Sequence, residues 1–291
     1  MRFIVSTSTL LKQLLAVNGA SSSSTVLPIL ENFLFEIKSG SLTVSATDLQ
    51  TSMTTSLSVE SKEDGKVAIP SKILLETLKT LPDQPISFSV DEKTFAIEIS
   101  AGDGKYKLSG ENGEDFPKIP VVENPSSVAM PASVLSEAIN KTLFAVSGDE
   151  LRPAMTGVYC QLSPQHITFV ATDAHKLVRY RRLDTKSEAP ATFILPKKAL
   201  TLLKASLPSD DVSVAVEYNN TSAFFRFGNI NLICRLIDER YPDYEAVIPT
   251  NNPNKLIIDR ALFLNCLRRV VIFANKTTHQ VRLKIAGSEL N

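Results

Sequence analysis

The sequence predicts an α+β protein made of repeated domains, each with about two helices packed on antiparallel sheet, and three observations lead there. The first is an internal repeat. The run Leu42 to Asp48 (LTVSATD) returns as Ile167 to Asp173 (ITFVATD), about 125 residues later. Ile69-Pro70-Ser71-Lys72 returns as Leu195-Pro196-Lys197-Lys198, and Phe116-Pro117 returns as Tyr241-Pro242. Landmarks in one order at a near-constant offset mark one domain used again, and the period is too long for a solenoid. The second observation is a set of period-two apolar runs joined by short turns, which reads as antiparallel hairpins. The third is that helical segments interrupt these runs without alternating with them one for one, which excludes a doubly wound parallel sheet.

Each unit opens with a short strand and a helix. Phe3 and Val5 alternate, and Leu10, Leu11, Leu14, Leu15 and Val17 follow at helical spacing behind a Ser6-Thr7-Ser8 capping region. Val128 and Met130, then Val134, Leu135, Ala138 and Ile139, repeat this. Leu256-Ile257-Ile258, then Leu262, Leu264, Leu267, Val270 and Val271, begin a third copy. Strands are expected over Leu27 to Ile37, Leu42 to Ala46 and Thr51 to Val59. A second helix starts behind Pro70 and stops at Leu81-Pro82, as proline's tolerance in the first turn and exclusion from the interior require. Ile86, Phe88 and Val90, a turn at Asp91-Glu92-Lys93, and Phe95, Ile97 and Ile99 form a hairpin that Val212 to Phe227 repeats. One unit therefore has about two helices and eight strands, with boundaries near 1–125, 126–251 and 252–291.

Composition narrows the class. Charged residues make up 21% and hydrophobic residues 43% of 291 residues, with a formal net charge of zero, which argues against a bulk polyanion binder. No apolar run approaches the length of a membrane span, and no secretion signal is visible, so a cytoplasmic location is expected. Cys160, Cys234 and Cys266 are too far apart for a CxxC site and read as buried thiols in a reducing compartment. His166 and His279 have no ligand partners at metal spacing, no phosphate-cradling glycine motif occurs, and neither metal nor cofactor is expected. Asp173 and His175 could suggest acid–base catalysis. However, the Thr-Asp step also occurs at Thr47-Asp48 without a histidine, so a shared structural turn is the better reading and no catalytic residue is assigned.

Leu27-Pro28-Ile29-Leu30 with Asn32, Ala171 to Leu177 (ATDAHKL), and Tyr241-Pro242-Asp243-Tyr244 closely resemble the bacterial sliding clamp family, the beta subunit of DNA polymerase III. The resemblance implies a non-catalytic processivity factor for DNA replication. It implies three clamp domains per chain and a homodimeric ring around double-stranded DNA. Partners would be the DNA polymerase III alpha subunit, the clamp loader and other proteins carrying a clamp-binding motif. It assigns a partner-peptide pocket to Met155, Thr172, Ala174, His175, Lys176, Leu177, Pro242 and Val247. Ala174 stands where glycine is common in the family, and Lys176 where arginine is common.

The resemblance also places helices on an inner wall facing DNA. The five expected helices, 7–17, 71–81, 132–146, 197–207 and 259–274, carry ten basic and three acidic residues, a net of +7 in a neutral chain. DNA-facing positions are then Lys12, Lys72, Lys79, Lys141, Arg152, Lys197, Lys198, Lys204, Arg268 and Arg269, together with Ser24 in a serine-rich loop. Few, non-specific phosphate contacts suit a protein that must slide. Tyr106 and Leu108, with Ile272 and Phe273, match positions at the ring's dimer interface. Asn291 aligns with Thr43, so about two thirds of the third domain is expected to be missing, and with it full ring closure and partner binding.

Overall fold

The computed structural model describes the chain except residues 23–26, 211, 277, 279, 287, 288 and 291; Ser24, His279 and Asn291 therefore lie outside the described residues. The chain divides into two compact units, Met1–Pro242 and Asp243–Asn291.

The first unit contains two copies of one pattern. The first copy runs β1 (Arg2–Ser6), α1 (Thr7–Val17), β2 (Asn32–Lys38), β3 (Ser41–Thr47), β4 (Thr51–Ser58), β5 (Glu60–Ser61), β6 (Gly65–Pro70), α2 (Ser71–Thr80), β7 (Pro85–Val90), β8 (Ala96–Ala101), β9 (Gly104–Ser109) and β10 (Glu111–Asn112). The second runs β11 (Ser126–Pro131), α3 (Ala132–Thr142), β12 (Gly157–Leu162), β13 (Ile167–Thr172), β14 (Leu177–Arg182), β15 (Ala191–Pro196), α4 (Lys197–Ser206), β16 (Ser213–Tyr218), β17 (Ser222–Phe227) and β18 (Ile230–Arg235). The second copy thus has the eight strands expected, and the first adds the two-residue strands β5 and β10.

Every strand pairing is antiparallel. A five-stranded sheet has the order β5-β1-β7-β8-β9, and a four-stranded sheet the order β14-β13-β12-β15. The third sheet, β10-β6-β2-β3-β4-β18-β17-β16-β11, has nine strands and crosses from one copy to the other. The crossing is the β4–β18 pairing, with Thr51 opposite Cys234 and Thr55 opposite Ile230. Side chains reinforce it. Asn229 donates to Gln13 Oε1 (2.8 Å), Thr55 Oγ1 (3.0 Å) and Ser56 O (3.0 Å), while Lys198 Nζ reaches Asp48 Oδ2 at 2.6 Å. Gly19 lies so close to α4 that a β-carbon there would come within 2.3 Å of Leu202 Cδ2.

The four helices of this unit bury their apolar stripes in one core. Leu10, Leu14 and Val17 on α1, Leu74 and Leu78 on α2, Leu135 and Ala138 on α3, and Leu200 and Leu203 on α4 are all buried. Sheet residues meet them, including a stacked Phe3–Phe88 pair with centroids 4.7 Å apart. The opposite face of the first copy's β2–β6 region holds a smaller cluster, Ile29, Leu34, Ala68 and Phe116. In the second copy Tyr241 takes the place of Phe116 and stacks on Tyr159 at 4.6 Å with rings nearly parallel. The repeated aromatic-Pro step is therefore a cap that each copy carries for the outer face of its sheet.

Three local expectations are corrected. The strand predicted from Leu27 begins only at Asn32, because Pro28 opens a short 3-10 turn, Pro28–Glu31. The start of α1 is capped from outside and not by its own serines: Asp83 Oδ1 accepts from Ser6 Oγ (2.8 Å) and the Ser8 amide (3.1 Å). In the second unit Leu256-Ile257-Ile258 is not a strand. The opening strand of each earlier copy pairs with a strand about 80 residues further on, β1 with β7 and β11 with β16, whereas residues 256–258 pair with no strand among the described residues. The second unit has the helix α5 (Arg260–Val270), with Asp259 Oδ1 capping the Leu262 amide at 2.8 Å, and a minimal hairpin of β19 (Ile285–Ala286) and β20 (Glu289–Leu290). α5 buries none of its residues. Cys266, expected to be buried, lies on this helix and is exposed, whereas burial pushes the Cys160 and Cys234 thiols up, Cys234 to about 12.

Candidate functional site

The Thr-Asp step forms the same turn in both copies. After β3, Asp48 Oδ1 accepts from the amides of Gln50 (2.9 Å) and Thr51 (2.6 Å), and Thr47 Oγ1 accepts from the amide of Leu49 (3.0 Å). After β13, Asp173 Oδ1 accepts from the amides of His175 (3.0 Å) and Lys176 (2.9 Å). Thr172 Oγ1 accepts from Ala174 (3.1 Å) and donates to the Lys176 carbonyl (2.8 Å). Both turns need one residue in the left-handed region, Leu49 at φ 74° and Ala174 at φ 73°. This geometry explains why glycine, which enters that region without a β-carbon penalty, suits position 174.

The turns differ in the second carboxylate oxygen. Asp48 Oδ2 takes Lys198 from the other copy, whereas Asp173 Oδ2 takes Lys176 from its own turn. The hydrogen bond and charge of Lys176, with the backbone amides, hold the Asp173 carboxyl well below the usual carboxylate range. Asp173 is thus fully engaged in holding the turn, and His175 points into solvent as an exposed side chain. The pair does not form an acid–base dyad.

Of the other residues predicted for the pocket, Leu177 and Met155 lie on elements next to this turn. Leu177 opens β14 directly after the turn, and Met155 sits in the 3-10 turn Pro153–Thr156 that leads into β12, the strand beside β13. Met155 accepts from the Ser147 amide at 2.9 Å, which ties this turn to the loop after α3. Pro242 is exposed at the end of the first unit, next to buried Tyr241. Val247 is an exposed residue of the second unit.

The predicted cations lie on exposed helix positions. Lys12, Lys72, Lys79, Lys141, Lys197, Lys198 and Lys204 on α1 to α4 are all exposed, against two acids on those helices, Glu76 and Glu137, a net of five positive charges. Glu137 is itself neutralised by Arg182 at 2.8 Å. Lys198 is committed to Asp48, and Arg152 to Asp149 at 2.9 Å. In the second unit Arg268 and Arg269 are exposed on the last turn of α5, where cations suit the helix dipole, and Arg269 Nη2 also contacts Cys266 Sγ at 3.2 Å.

Of the residues predicted at a subunit seam, Tyr106 and Leu108 lie on β9, which ends the five-stranded sheet. Leu108 turns into the core and Tyr106 is partly exposed. Ile272 and Phe273 form part of a 3-10 turn after α5 and are 76% and 89% exposed, so they are not core residues of the second unit.

Comparison with known proteins places this arrangement. Residues 1–120 match the family described as DNA polymerase III beta subunit, N-terminal domain, and residues 129–243 match its central domain. A beta sliding clamp from Staphylococcus epidermidis is 30% identical over 299 aligned positions, covering all of this chain and 79% of that protein. The chain belongs to the bacterial beta sliding clamp family. A sliding clamp from Bartonella birtlesii, solved bound to griselimycin, matches with a TM-score of 0.92 and 30% identity over all of this chain and 79% of its own. The Bacillus subtilis clamp shares the fold with a TM-score of 0.93 at 24% identity, over 99% of this chain and 78% of that one.

Sliding clamps are non-catalytic processivity factors of DNA polymerase, which agrees with the closed Asp173 turn, and family membership implies DNA and polymerase as partners and a dimeric ring. Among the described residues no helix is long and apolar enough to cross a membrane. The Thr47-Asp48 turn was legible through the repeat, but Asp83, Asn229 and the Tyr159–Tyr241 stack, which also hold the fold together, were not; of these only Tyr241 carried a signal, as the repeat partner of Phe116.

Proposed function

We propose that this chain is part of a ring-forming clamp, comprising clamp domain I (1–125), clamp domain II (126–251) and the N-terminal part of clamp domain III (252–291), with ring closure and peptide binding weaker than in a three-domain clamp and with the Thr172–Leu177 turn as the docking groove for partner peptides. The observation that supports it most directly is the β4–β18 pairing. That pairing joins copy one to copy two through the last strand of one hairpin and the end strand of the other sheet. It leaves β9, the counterpart of β18, and β14, the counterpart of β4, as the ends of their sheets. Each is an edge of the kind that a further domain extends. Tyr106 and Leu108 on β9, with Ile272 and Phe273, are accordingly assigned to the seam of a homodimer.

The groove offers an apolar floor from Met155, Leu177 and Pro242 beside the polar turn of Thr172, Ala174, His175 and Lys176, and the family resemblance adds Val247. This combination suits an extended peptide with hydrophobic anchors and a glutamine, as expected of the DNA polymerase III alpha subunit, a clamp loader and other clamp-binding proteins. Lys12, Lys72, Lys79, Lys141, Arg152, Lys197, Lys198, Lys204, Arg268 and Arg269 are assigned to the DNA-facing surface. Two measurements test the reading. Salt-sensitive retention on circular but not linear duplex supports encirclement, and equal retention on both refutes it. His175→Ala should weaken binding of a glutamine-and-leucine peptide at least several-fold; unchanged affinity would remove the groove.

A further inference from the structure

The two Thr-Asp turns are built alike, yet their carboxylates hold lysines from different places. In the first turn Asp48 binds Lys198, which is 150 positions away, and the residue matching Lys176 is Thr51, buried in β4. In the second turn the carboxylate is closed by the lysine three residues on. Arg152, three residues before Met155, is likewise held within its own loop, by Asp149 through Nε–Oδ2 at 2.9 Å. Lys176 and Arg152, two of the basic side chains near the predicted groove residues, are therefore each paired with an acid of their own loop. Lysine presents one compact ammonium and no planar fork, so at this position it offers a ligand no bidentate contact of the kind arginine makes.

We propose that Asp173 is a specificity-determining positioning residue of the groove. By holding the Lys176 ammonium it leaves this edge without a free cation, so the groove takes peptides on their glutamine and apolar anchors and does not select for an acidic residue beside them. The inference rests on the groove reading given above. Asp173 does not touch the peptide; it acts by fixing where the Lys176 charge sits, and its Oδ1 bonds to the His175 and Lys176 amides set the turn on which that charge is carried.

The test uses two labelled peptides with the same glutamine and leucine anchors, one with Asp and one with Asn next to the anchors, titrated by anisotropy at low salt. The native chain should bind them with a ratio near one. Asp173→Asn keeps an acceptor for the turn amides but releases Lys176, and should favour the acidic peptide by about fivefold, the effect of one exposed ion pair. Lys176→Met and the Asp173→Asn/Lys176→Met double variant should return the ratio to near one. A native chain that already prefers the acidic peptide, or an Asp173→Asn variant that does not, overturns the proposal. If neither peptide binds any form, the groove reading fails, and reductive methylation followed by mass spectrometry still decides the lock. Lys176 should react more slowly than exposed Lys12 in the native chain and at the same rate in Asp173→Asn; equal rates in the native chain overturn it.

Discussion

Ala174 and Leu49 sit at φ 73° and 74° in turns whose hydrogen bonds are otherwise satisfied, so the left-handed backbone is a cost borne for the turn itself. Ala174→Gly should raise unfolding stability by up to about 1 kcal/mol in a denaturant titration, the β-carbon penalty less the entropy that glycine adds to the unfolded chain. Tyr218 poses the opposite problem: its ring packs against Phe193 and its hydroxyl is buried with no hydrogen-bond partner among the described residues. Removing an unsatisfied polar atom should be neutral or stabilising, by about 1 kcal/mol for Tyr218→Phe in the same experiment. Asp83 and Asp91 are held below the usual carboxylate range, Asp83 by the hydroxyls of Ser8 and Ser6 and Asp91 by the amide and hydroxyl of Thr94. A depressed folded-state value means that their stabilisation is present above about pH 4 and is lost as pH falls through the lower folded value. Asp83→Asn or Asp91→Asn should flatten that acid limb. The sequence showed Asp173 as part of a turn because its repeat partner lacked the histidine. It could not show which lysine closed each turn, because Lys176 is local and Lys198 is distant in the chain.

Elements were legible wherever a period and its punctuation agreed. Pro70, Leu74, Leu78 and Pro82 marked α2 within a residue or so, and the Asp91-Glu92-Lys93 turn marked the β7–β8 hairpin. Legibility failed where an element depends on something distant. Residues 256–258 have a strand's composition but pair with no strand among the described residues, and α5 has an amphipathic pattern yet buries none of its residues. By contrast, Leu203 on α4 is fully buried, and Leu203→Ala should cost about 2–5 kcal/mol through the cavity it leaves. The β4–β18 junction rests on a different kind of contact. Asn229→Ala removes three hydrogen bonds that bridge the copies and leaves the Gln13–Thr55 pair of the first copy bonded only to itself, so hydrogen exchange of β4 and β18 amides should rise by about tenfold or more while β7 and β8 amides keep their protection.

For the molecule as a whole, charge matters more in its distribution than in its sum. A chain of zero net charge places seven exposed lysines and two acids on the helices of its first unit. If those lysines meet phosphates, Lys197→Ala or Lys204→Ala should weaken duplex binding equally for all sequences and reduce the slope of log affinity against log salt by about one each. Lys198→Ala should act differently, because its ammonium already serves the Asp48 turn: melting temperature should fall along with DNA affinity. The repeat made the α+β class and the order of elements readable, but not the fusion of two copies into one nine-stranded sheet, since nothing local in Thr51 to Thr55 or Ile230 to Cys234 announces a partner about 180 positions away. That fusion has a mechanical consequence. A pull directed across the nine strands meets the β4–β18 seam as a row of backbone hydrogen bonds, the same coupling that joins neighbouring strands within either copy. The seam then fails under load as a sheet fails, by peeling from one end, and its resistance depends on the number of paired residues and little on which side chains they carry.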